Sequence, residues 1–311
     1  MNRKHLLGLL SLPLAALSLS VSAAEFPAKP ITLLMPWGPG GSSDTQARAL
    51  ANVAQKYIHT NLIVKNRTGA GGTIAATELA RAKADGYTLM WYTSGVSTTQ
   101  PMIRKVKYSL DDFVPVIGTT SEPLLLAVPK SSPYNTVADL KGHDFNAGSP
   151  GAGSMPNIAM VALSKKVGFG MGNVIYKSTT EANVAMIGGH IDISITQPSI
   201  EVSLGEKMRV LAVFTEERLP EYPDVPTVRE AGFDLVMDNY NFIMAPKDTP
   251  KDRIETIRSG FETMLNSAEF KTFANNANIT VFDITSEKIY QNFDKELNEL
   301  PPLLKEMGII K

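Results

Sequence analysis

The chain has 311 residues, with 30 Lys and Arg against 31 Asp and Glu, and it contains no cysteine. The formal net charge of −1 gives no reason to expect a nucleic acid or an anionic membrane surface as a partner. Without cysteine the chain forms no disulfide and carries no lipid on an N-terminal cysteine, which excludes a lipoprotein.

The N-terminus predicts a secretory signal peptide over residues 1–23. Arg3 and Lys4 supply its positive charge, and residues 6–21 supply an apolar stretch that is short for a membrane span. Small residues favour cleavage before Ala24, which removes both charges and takes the formal net charge from −1 to −3. The remaining chain of about 288 residues is typical in length of two domains and has no further run of about 20 apolar residues. We therefore expect a soluble periplasmic protein.

Strand and helix patterns alternate along the rest of the chain. Apolar runs predict strands at residues 31–35, 61–64, 88–92, 114–119, 124–128, 173–176, 191–196, 210–214 and 241–245. Apolar residues at a 3.6-residue period predict helices at residues 44–59, 73–83, 156–166, 181–188, 251–267 and 286–307. Apolar strands that alternate with helices favour an α/β fold with mostly parallel sheets flanked by helices.

The strand pattern near the C-terminus indicates how the chain is divided. Residues 239–245 resemble a strand that returns to the first sheet, and the last two helices follow it. We expect lobe 1 to hold residues 24–124 plus 237–311, and lobe 2 to hold residues 125–236. Two lobes joined by two hinge crossings are typical of binding proteins that close around a ligand.

Turns rich in Gly and hydroxyl side chains connect several predicted strands to helices. They lie at residues 36–44, 69–73, 148–154 and 178–181. Ser43 with Gln46 and Ser178 with Glu181 fit capping boxes, and Ser154 is a candidate helix cap. In parallel sheets such turns lie at the carboxyl ends of the strands, where ligands bind. Facing lobes would then surround a small anion with helix N-termini, whose N–H groups and dipoles favour negative charge.

Motifs for catalysis, metal binding and nucleotide binding do not stand out. The sequence has no G-x-S-x-G elbow and no H-E-x-x-H, and His59, His143 and His190 lack the spacing of metal ligands. The first glycine-rich turn lacks the G-x-G-x-x-G spacing and the Gly-Lys-Ser/Thr of a P-loop. We expect no catalytic residue, no metal and no cofactor, which disfavours the alternative of a secreted α/β hydrolase.

An ordered set of motifs resembles the Bug-type, or TctC-like, periplasmic solute-binding proteins of tripartite tricarboxylate transporters. The similar segments are residues 29–32, 36–44, 66–72, 85–89, 93–95, 148–154, 176–177, 188–192, 218–220, 223–227, 230–232, 245–246 and 249–250. The resemblance implies a type II periplasmic binding-protein fold without enzymatic activity. It also implies that the chain delivers a small carboxylate to a two-component membrane permease of the tripartite tricarboxylate type.

The resemblance implies ligand-binding residues by position. In the first lobe they are Trp37, Gly38, Gly40, Gly41, Ser42, Ser94 and Gly95. In the second lobe they are Ser149, Ala152, Gly153, Ser154, Lys177, Ser178 and Asp192. Trp37, Asn157, Ser178 and residues 240–242 depart from the residues usual in the family, so we expect a substrate that differs from its commonest ones.

The main hypothesis is therefore a carboxylate-binding protein, a monomer by default. Aliphatic and aromatic mono- or dicarboxylates remain open, and Trp37 slightly favours an aromatic or otherwise flat acid. The alternative is a periplasmic sensor that presents its closed state to a signalling partner.

Overall fold

The computed structural model describes residues 26–237, 239–281 and 286–310, so the predicted signal peptide at residues 1–23 lies outside the described residues. The strands are β1 Ile31–Met35, β2 Leu62–Asn66, β3 Thr88–Thr93, β4 Phe113–Ser121, β5 Leu125–Pro129, β6 Asp144–Pro150, β7 Gly170–Tyr176, β8 Ile193–Thr196, β9 Met208–Val213, β10 Tyr240–Pro246 and β11 Thr280–Val281. The helices are α1 Ser42–Tyr57, α2 Thr73–Ala80, α3 Thr99–Ile103, α4 Met155–Val167, α5 Thr179–Ile187, α6 Pro198–Leu204, α7 Lys251–Leu265, α8 Ala268–Asn276 and α9 Ser286–Glu306.

The strands form two sheets, one in each lobe. The first has the order β11-β4-β10-β3-β1-β2, and the second has the order β7-β6-β8-β5-β9. Strand β1 runs parallel to β2 and β3, and β6 runs parallel to β7 and β8. Strands β10 and β5 pair antiparallel with their neighbours on both sides. The predicted two-lobed α/β fold is confirmed, but the sheets are mixed rather than mostly parallel, because β5 and β10, the strands that begin after the crossings, run antiparallel to both of their neighbours.

The first sheet is buried on both faces. Leu33 and Trp91 point into an apolar cluster that includes Phe261 of α7. Their chain neighbours Leu34 and Tyr92 point into a cluster on the opposite face. Successive side chains of a strand alternate between faces, so a strand buried on both sides becomes a continuous apolar run. This is the pattern that predicted β1 and β3 from the sequence.

The crossings between the lobes lie side by side. One crossing lies between the end of β4 at Ser121 and the start of β5 at Leu125, and the other leads into β10. The backbone N–H of Glu122 donates to the carbonyl of Asn239 at 3.2 Å, and the Asn239 side-chain amide donates back to the Glu122 carbonyl at 3.1 Å. The crossings are therefore tied together at Glu122 and Asn239, next to the cleft.

Helix α9 contacts the cores of both lobes. Ile289 and Phe293 pack on the first sheet, whereas Leu300 and Leu304 pack in the main cluster of the second lobe. The predicted boundary, which gives residues 237–311 to lobe 1, stays a prediction. Within the described residues, none of the helices combines the length and the apolar composition that a membrane crossing requires.

Candidate functional site

A small cavity lies between the lobes, and we call it the inner cavity. Its volume is about 30 Å³. It is lined by Trp37, Gly41, Ser42, Ser43, Thr93, Ser94, Pro150, Ser154, Met155, Pro156, Ser178, Thr179, Gln197 and Asn239. Among the described residues that line it, none carries a charged side chain. Hydroxyl, amide and backbone groups are therefore what the inner cavity offers a ligand.

Several helices begin at the inner cavity. The N-cap residues of α1, α4, α5 and α6 are Gly41, Ser154, Ser178 and Gln197, and each of them lines the cavity. The first N–H groups of a helix lack partners within the helix, and the helix dipole places positive charge at the same end. Helix starts drawn from both lobes make the cavity suitable for an anion.

The start of α1 differs from the predicted capping box, which is wrong. Gly41 is the N-cap and makes no side-chain hydrogen bond, so Ser43 lies inside the first turn. Gln46 does not accept a hydrogen bond from the backbone N–H of a capping residue, as a capping box requires. Its amide donates instead to Ser42 Oγ at 2.8 Å and to a carboxylate oxygen of Glu122 at 2.5 Å. The first turn of α1 is therefore left without a side-chain cap where it meets the inner cavity.

The turn before α1 is held by the buried carboxylate of Asp44. It accepts hydrogen bonds from the Gly40 N–H at 2.9 Å and the Asn66 amide at 2.8 Å, and it forms an ion pair with Arg48 at 2.9 Å. Burial alone would raise the pKa of Asp44, but the bonds from Arg48, Asn66 and Gly40 outweigh it and hold the pKa below its ordinary value. Gly40 has a φ of 73°, which glycine adopts without strain. The turn is thus fixed before any ligand arrives.

The second-lobe loop is positioned by Asn157. Its side-chain oxygen accepts from the Gly153 N–H at 2.9 Å, and its amide donates to Ser149 Oγ at 2.8 Å and to Asn173 at 2.9 Å. Ser154 caps α4 by accepting from the Asn157 N–H at 3.4 Å, as the sequence predicted. Asn157 therefore shapes the loop from behind.

The fourth predicted turn caps α5. Ser178 Oγ accepts from the Glu181 N–H at 3.2 Å, so the predicted cap is confirmed. In a capping box the Glu181 carboxylate would accept from the N–H of Ser178. It accepts instead from the N–H of Lys177 at 2.9 Å. The bond from the Lys177 N–H to Glu181 fixes the backbone of Lys177, whose carbonyl faces the first lobe.

Direct hydrogen bonds close the cleft beside Trp37. The Gly38 N–H donates to the Lys177 carbonyl at 2.9 Å, and Thr180 Oγ1 donates to the Gly40 carbonyl at 2.9 Å. Both bonds join the first-lobe turn to the start of α5. The first-lobe turn thus serves as a closing contact as well as a cavity wall.

A second, wider space lies on the other side of Trp37, and we call it the side cleft. Its volume is about 390 Å³, and it is lined by Pro36, Trp37, Thr68, Gly69, Ala70, Gly71, Gly151, Ala152, Ile175, Tyr176 and Lys177. Here the 69–73 turn meets the second lobe, where Gln100 and Arg104 donate to the Ala152 carbonyl at 3.1 and 2.9 Å. This turn faces the side cleft and not the inner cavity.

The structure brings part of the predicted site together. The inner cavity is lined by the predicted residues Trp37, Gly41, Ser42, Ser94, Ser154 and Ser178. The side cleft is lined by Trp37, Ala152 and Lys177. Neither space is lined by Gly38, Gly40, Gly95, Ser149, Gly153 or Asp192. Gly38 and Gly40 instead close the cleft, and Ser149 and Gly153 are held by Asn157.

Asp192 lies away from both spaces. Its carboxylate accepts from the Asn146 N–H at 2.7 Å, near the beginning of β6. Pro150, at the other end of β6, lines the inner cavity. These strand positions are about 13 Å apart at 3.3 Å per residue. Asp192 therefore joins neighbouring strands at the far end of the sheet.

Some cavity residues were missed from the sequence, above all Thr93, Thr179, Gln197 and Asn239. Thr93 is 6% exposed, and its Oγ1 has no hydrogen-bond partner among the described residues. Gln197 directly precedes Pro198 at the start of α6, which is a recognisable helix-start pattern. Thr93 is next to the predicted Ser94 and ends β3, so its position at the carboxyl end of a parallel strand was the available signal.

Comparison with known proteins decides the family. Residues 46–309 match the model of the Tripartite tricarboxylate transporter family receptor. The chain belongs to this family. A curated relative from Agrobacterium vitis, the UPF0065 protein in the TAR-I ttuE-ttuC' intergenic region, is 30% identical over 298 residues, which cover 91% of this chain and 86% of the relative. Protein BugT of Bordetella pertussis is 30% identical over 289 residues, covering 88% of this chain and 89% of BugT.

Solved structures agree with the family. The periplasmic binding protein BugD has a TM-score of 0.86 at 24% identity, covering 92% of this chain and 100% of BugD, which supports the fold. An R. palustris protein solved with adipate has a TM-score of 0.85 at 26% identity, covering 91% of this chain and 99% of that protein. MatC from Rhodopseudomonas palustris, solved with malate, has a TM-score of 0.84 at 26% identity, covering 90% of this chain and 100% of MatC. The predicted family and type II fold are confirmed.

Proposed function

We propose that this tripartite tricarboxylate family member is a periplasmic solute-binding protein that captures a small carboxylate between its lobes and has no enzymatic activity. The observation that carries the proposal is the inner cavity, where the starts of α1, α4, α5 and α6 surround a space without charged side chains. The adipate-bound and malate-bound relatives support the ligand class.

The inner cavity suits the carboxylate end of a ligand. A carboxylate that leaves water needs hydrogen bonds to replace its hydration. The first turn of α1, which has no side-chain cap, and the Thr93 hydroxyl, which has no partner among the residues that the structure describes, offer such bonds without a fixed positive charge. A cavity of about 30 Å³ accommodates a group of a few atoms. Because Trp37 lines both the inner cavity and the side cleft, the remainder of a longer ligand would pass Trp37 toward the side cleft.

Closure couples binding to recognition. A ligand shifts a protein toward its closed form only by contacts that the closed form adds. The bonds from Gly38 to Lys177 and from Thr180 to Gly40 exist only when the lobes meet. A bound carboxylate adds further bonds across the same cleft. The membrane partner then recognises the closed, ligand-bound form of the protein.

The test is a calorimetric and thermal-shift screen of the refolded chain from Ala24 onward. The panel holds aliphatic and aromatic mono-, di- and tricarboxylates, with amino acids, sugars and polyamines as controls. A ligand at 100 times its Kd stabilises the folded state by about 2.7 kcal/mol, which is a shift of several degrees. Stabilisation by controls alone, with every carboxylate inert, would contradict the proposal.

Delivery to a two-component permease of the tripartite tricarboxylate type is the second part of the proposal, and the family supports it. Uptake of a labelled carboxylate hit is measured in cells with and without the gene for this chain. We expect uptake to fall when the gene is deleted and to return when it is restored. Unchanged uptake, together with a lost transcriptional response to the same carboxylate, would indicate the sensor role instead.

A further inference from the structure

A buried acid lies directly behind the inner cavity. Glu122, in the crossing after β4, is 0% exposed, and it does not line the cavity itself. Ser42 separates the two, because Ser42 lines the cavity and its hydroxyl donates to the Glu122 carboxylate. A ligand oxygen bonded to Ser42 would therefore lie about two hydrogen-bond lengths, roughly 5 Å, from Glu122.

The Glu122 carboxylate joins both lobes. From α1 it accepts hydrogen bonds from Ser42 and from the Gln46 amide, the latter at 2.5 Å. From α6 it accepts the Ser199 N–H at 3.2 Å, and Ser199 Oγ lies 2.9 Å from Ser42 Oγ. The Glu122 carboxylate therefore makes these hydrogen bonds to α1 and α6 together only when the lobes are closed. A charge that is placed between α1 and α6 would interact with it directly.

The hydrogen-bond partners of Glu122 are uncharged. Ser42, Gln46, Ser199 and Asn239 surround it from α1, α6 and the second crossing, and no ion pair among the described residues includes it. Burial raises the pKa of Glu122 above its ordinary value, and the hydrogen bonds offset only part of that rise. A ligand carboxylate in the inner cavity would add a second negative charge beside the Glu122 carboxylate, and none of the hydrogen-bond partners named above carries a positive charge that could balance them.

Charged groups on the adjoining elements are engaged elsewhere. On α1, Asp44 is paired with Arg48. On α6, Glu201 accepts from the Tyr222 hydroxyl at 2.9 Å. On α9, Glu296 accepts from the Tyr240 hydroxyl at 2.6 Å. Among the described residues, Glu122 is the acid whose carboxylate is hydrogen-bonded to the side chain of a residue that lines the inner cavity.

We propose that Glu122 takes up one proton from solvent when a carboxylate enters the inner cavity, so that the proton and the carboxylate bind together. The proposal rests on the proposed carboxylate function. The neutral acid does not repel the ligand. Its new O–H donates to Ser42 Oγ in place of the Ser199 hydroxyl, so Ser42 Oγ still accepts two hydrogen bonds and its own hydrogen is free to donate to the ligand. Release of the ligand returns the proton to solvent.

Proton uptake has a thermodynamic signature. Uptake of one proton makes the Kd rise by up to tenfold for each pH unit above the pKa of the free acid. The probes are adipate and benzoate, both ionised above about pH 6. Calorimetry on the wild-type protein in buffers of different ionisation enthalpy counts the protons directly and needs no variant.

The comparison variant is Glu122→Gln, which keeps the shape and cannot titrate. We expect the wild-type Kd to be at least tenfold higher at about pH 8 than at about pH 6, and the Glu122→Gln Kd to change by less than about twofold. Calorimetry should show proton uptake in the wild type and none in Glu122→Gln. Circular dichroism confirms that the variant is folded.

Different failures have different meanings. Tight binding without proton uptake and without pH dependence in the wild type overturns the role of Glu122 and leaves the carboxylate function standing. Equal pH dependence in Glu122→Gln also overturns it, since another group is then responsible. If neither probe nor any carboxylate of the screen binds the folded wild-type protein, both proposals fall. If Glu122→Gln does not fold, wild-type calorimetry that shows no proton uptake still overturns the role of Glu122.

Discussion

The backbone N–H of Gly38 donates to the carbonyl of Lys177 at 2.9 Å and joins the first-lobe turn to the second lobe. Neither atom belongs to a side chain, so this closing contact depends on backbone shape. A Cβ at Gly38 would lie 3.2 Å from the Lys177 Cβ, which explains why glycine suits the position. The neighbouring bond from Thr180 to Gly40 uses a side chain and can be removed by mutation.

Thr180→Val should weaken ligand binding by about threefold to tenfold, because it removes a bond of about 0.5–1.5 kcal/mol that forms only on closure. Calorimetry gives the Kd, and stopped-flow fluorescence gives the dissociation rate, which should rise. Thr272→Val is the matched control, since Thr272 donates to the Ala268 carbonyl at 2.7 Å within α8. Equal loss of affinity in both variants would mean that the interlobe bond has no special role.

Thr93→Val should lower affinity for a carboxylate by about tenfold, because the Thr93 hydroxyl lines the inner cavity and has no hydrogen-bond partner within the described part of the chain. Removing it should leave the ligand-free stability unchanged or slightly higher. Thr119→Val is the matched control, since Thr119 is also buried with an unpartnered hydroxyl but does not line the cavity. Unchanged affinity in Thr93→Val would remove Thr93 from the site.

Gly71→Ala should obstruct closure. Gly71 has a φ of 64°, and a Cβ there would lie 2.7 Å from the Ala152 carbonyl oxygen of the opposite lobe and even closer to the Gln100 amide nitrogen, which itself donates to that carbonyl. We expect at least tenfold weaker binding, with X-ray scattering that shows a less compact liganded state. Gly142→Ala provides the control for backbone strain alone, since Gly142 has a φ of 78° and no described atom lies within 4 Å of its added Cβ.

The Gly142→Ala variant should lose about 1–2 kcal/mol of stability and keep its affinity. Gly71→Ala should lose a similar amount from its backbone and, in addition, lose affinity. Closure as complete as that of the wild type in Gly71→Ala would show that the 69–73 turn adapts and does not limit the approach of the lobes.

Ligand-free stability should also depend on Glu122. Its pKa is raised in the folded state, so between the ordinary value of 4.5 and the raised value the folded protein holds more protons than the unfolded chain. Stability therefore falls as pH rises through that window. The free energy of unfolding of Glu122→Gln should lack this pH dependence. Urea denaturation of the wild type and the variant at a series of pH values measures it. If the free energies of unfolding of the wild type and Glu122→Gln differ by the same amount at every pH, the raised pKa of Glu122 is contradicted.

The strands that sequence predicted best are those buried on both faces. Strands β1, β3 and β10 are apolar runs, and their predicted bounds lie close to the observed ones. Strand β6 was missed because Asp144–Pro150 contains Asp, Asn, Gly, Ser and Pro. Its extended form comes from pairing with β7 and β8, which a local pattern does not show. Tertiary pairing overrode weak local propensity there.

The lining of the inner cavity was predictable where it follows the ends of parallel strands, as for Gly41, Ser42 and Ser154. The parts that sequence missed depend on how the lobes meet. Glu122 lies in a crossing, and its importance appears only when α1 and α6 approach it. The same acid explains the wrong capping box, because Gln46 binds Glu122 in place of the helix start.

Helix α9, anchored in both cores, adds a third connection beside the two crossings. Opening the cleft must bend this helix or detach one of its ends. Pro301 and Pro302 lie inside α9 and lack backbone N–H groups, so bending requires least free energy there. We therefore expect the open protein to sample a narrow range of lobe orientations. Closure then removes fewer orientations than it would if only the two crossings joined the lobes, so the entropic cost of binding is lower. A weakly held ligand is therefore sufficient to close the cleft.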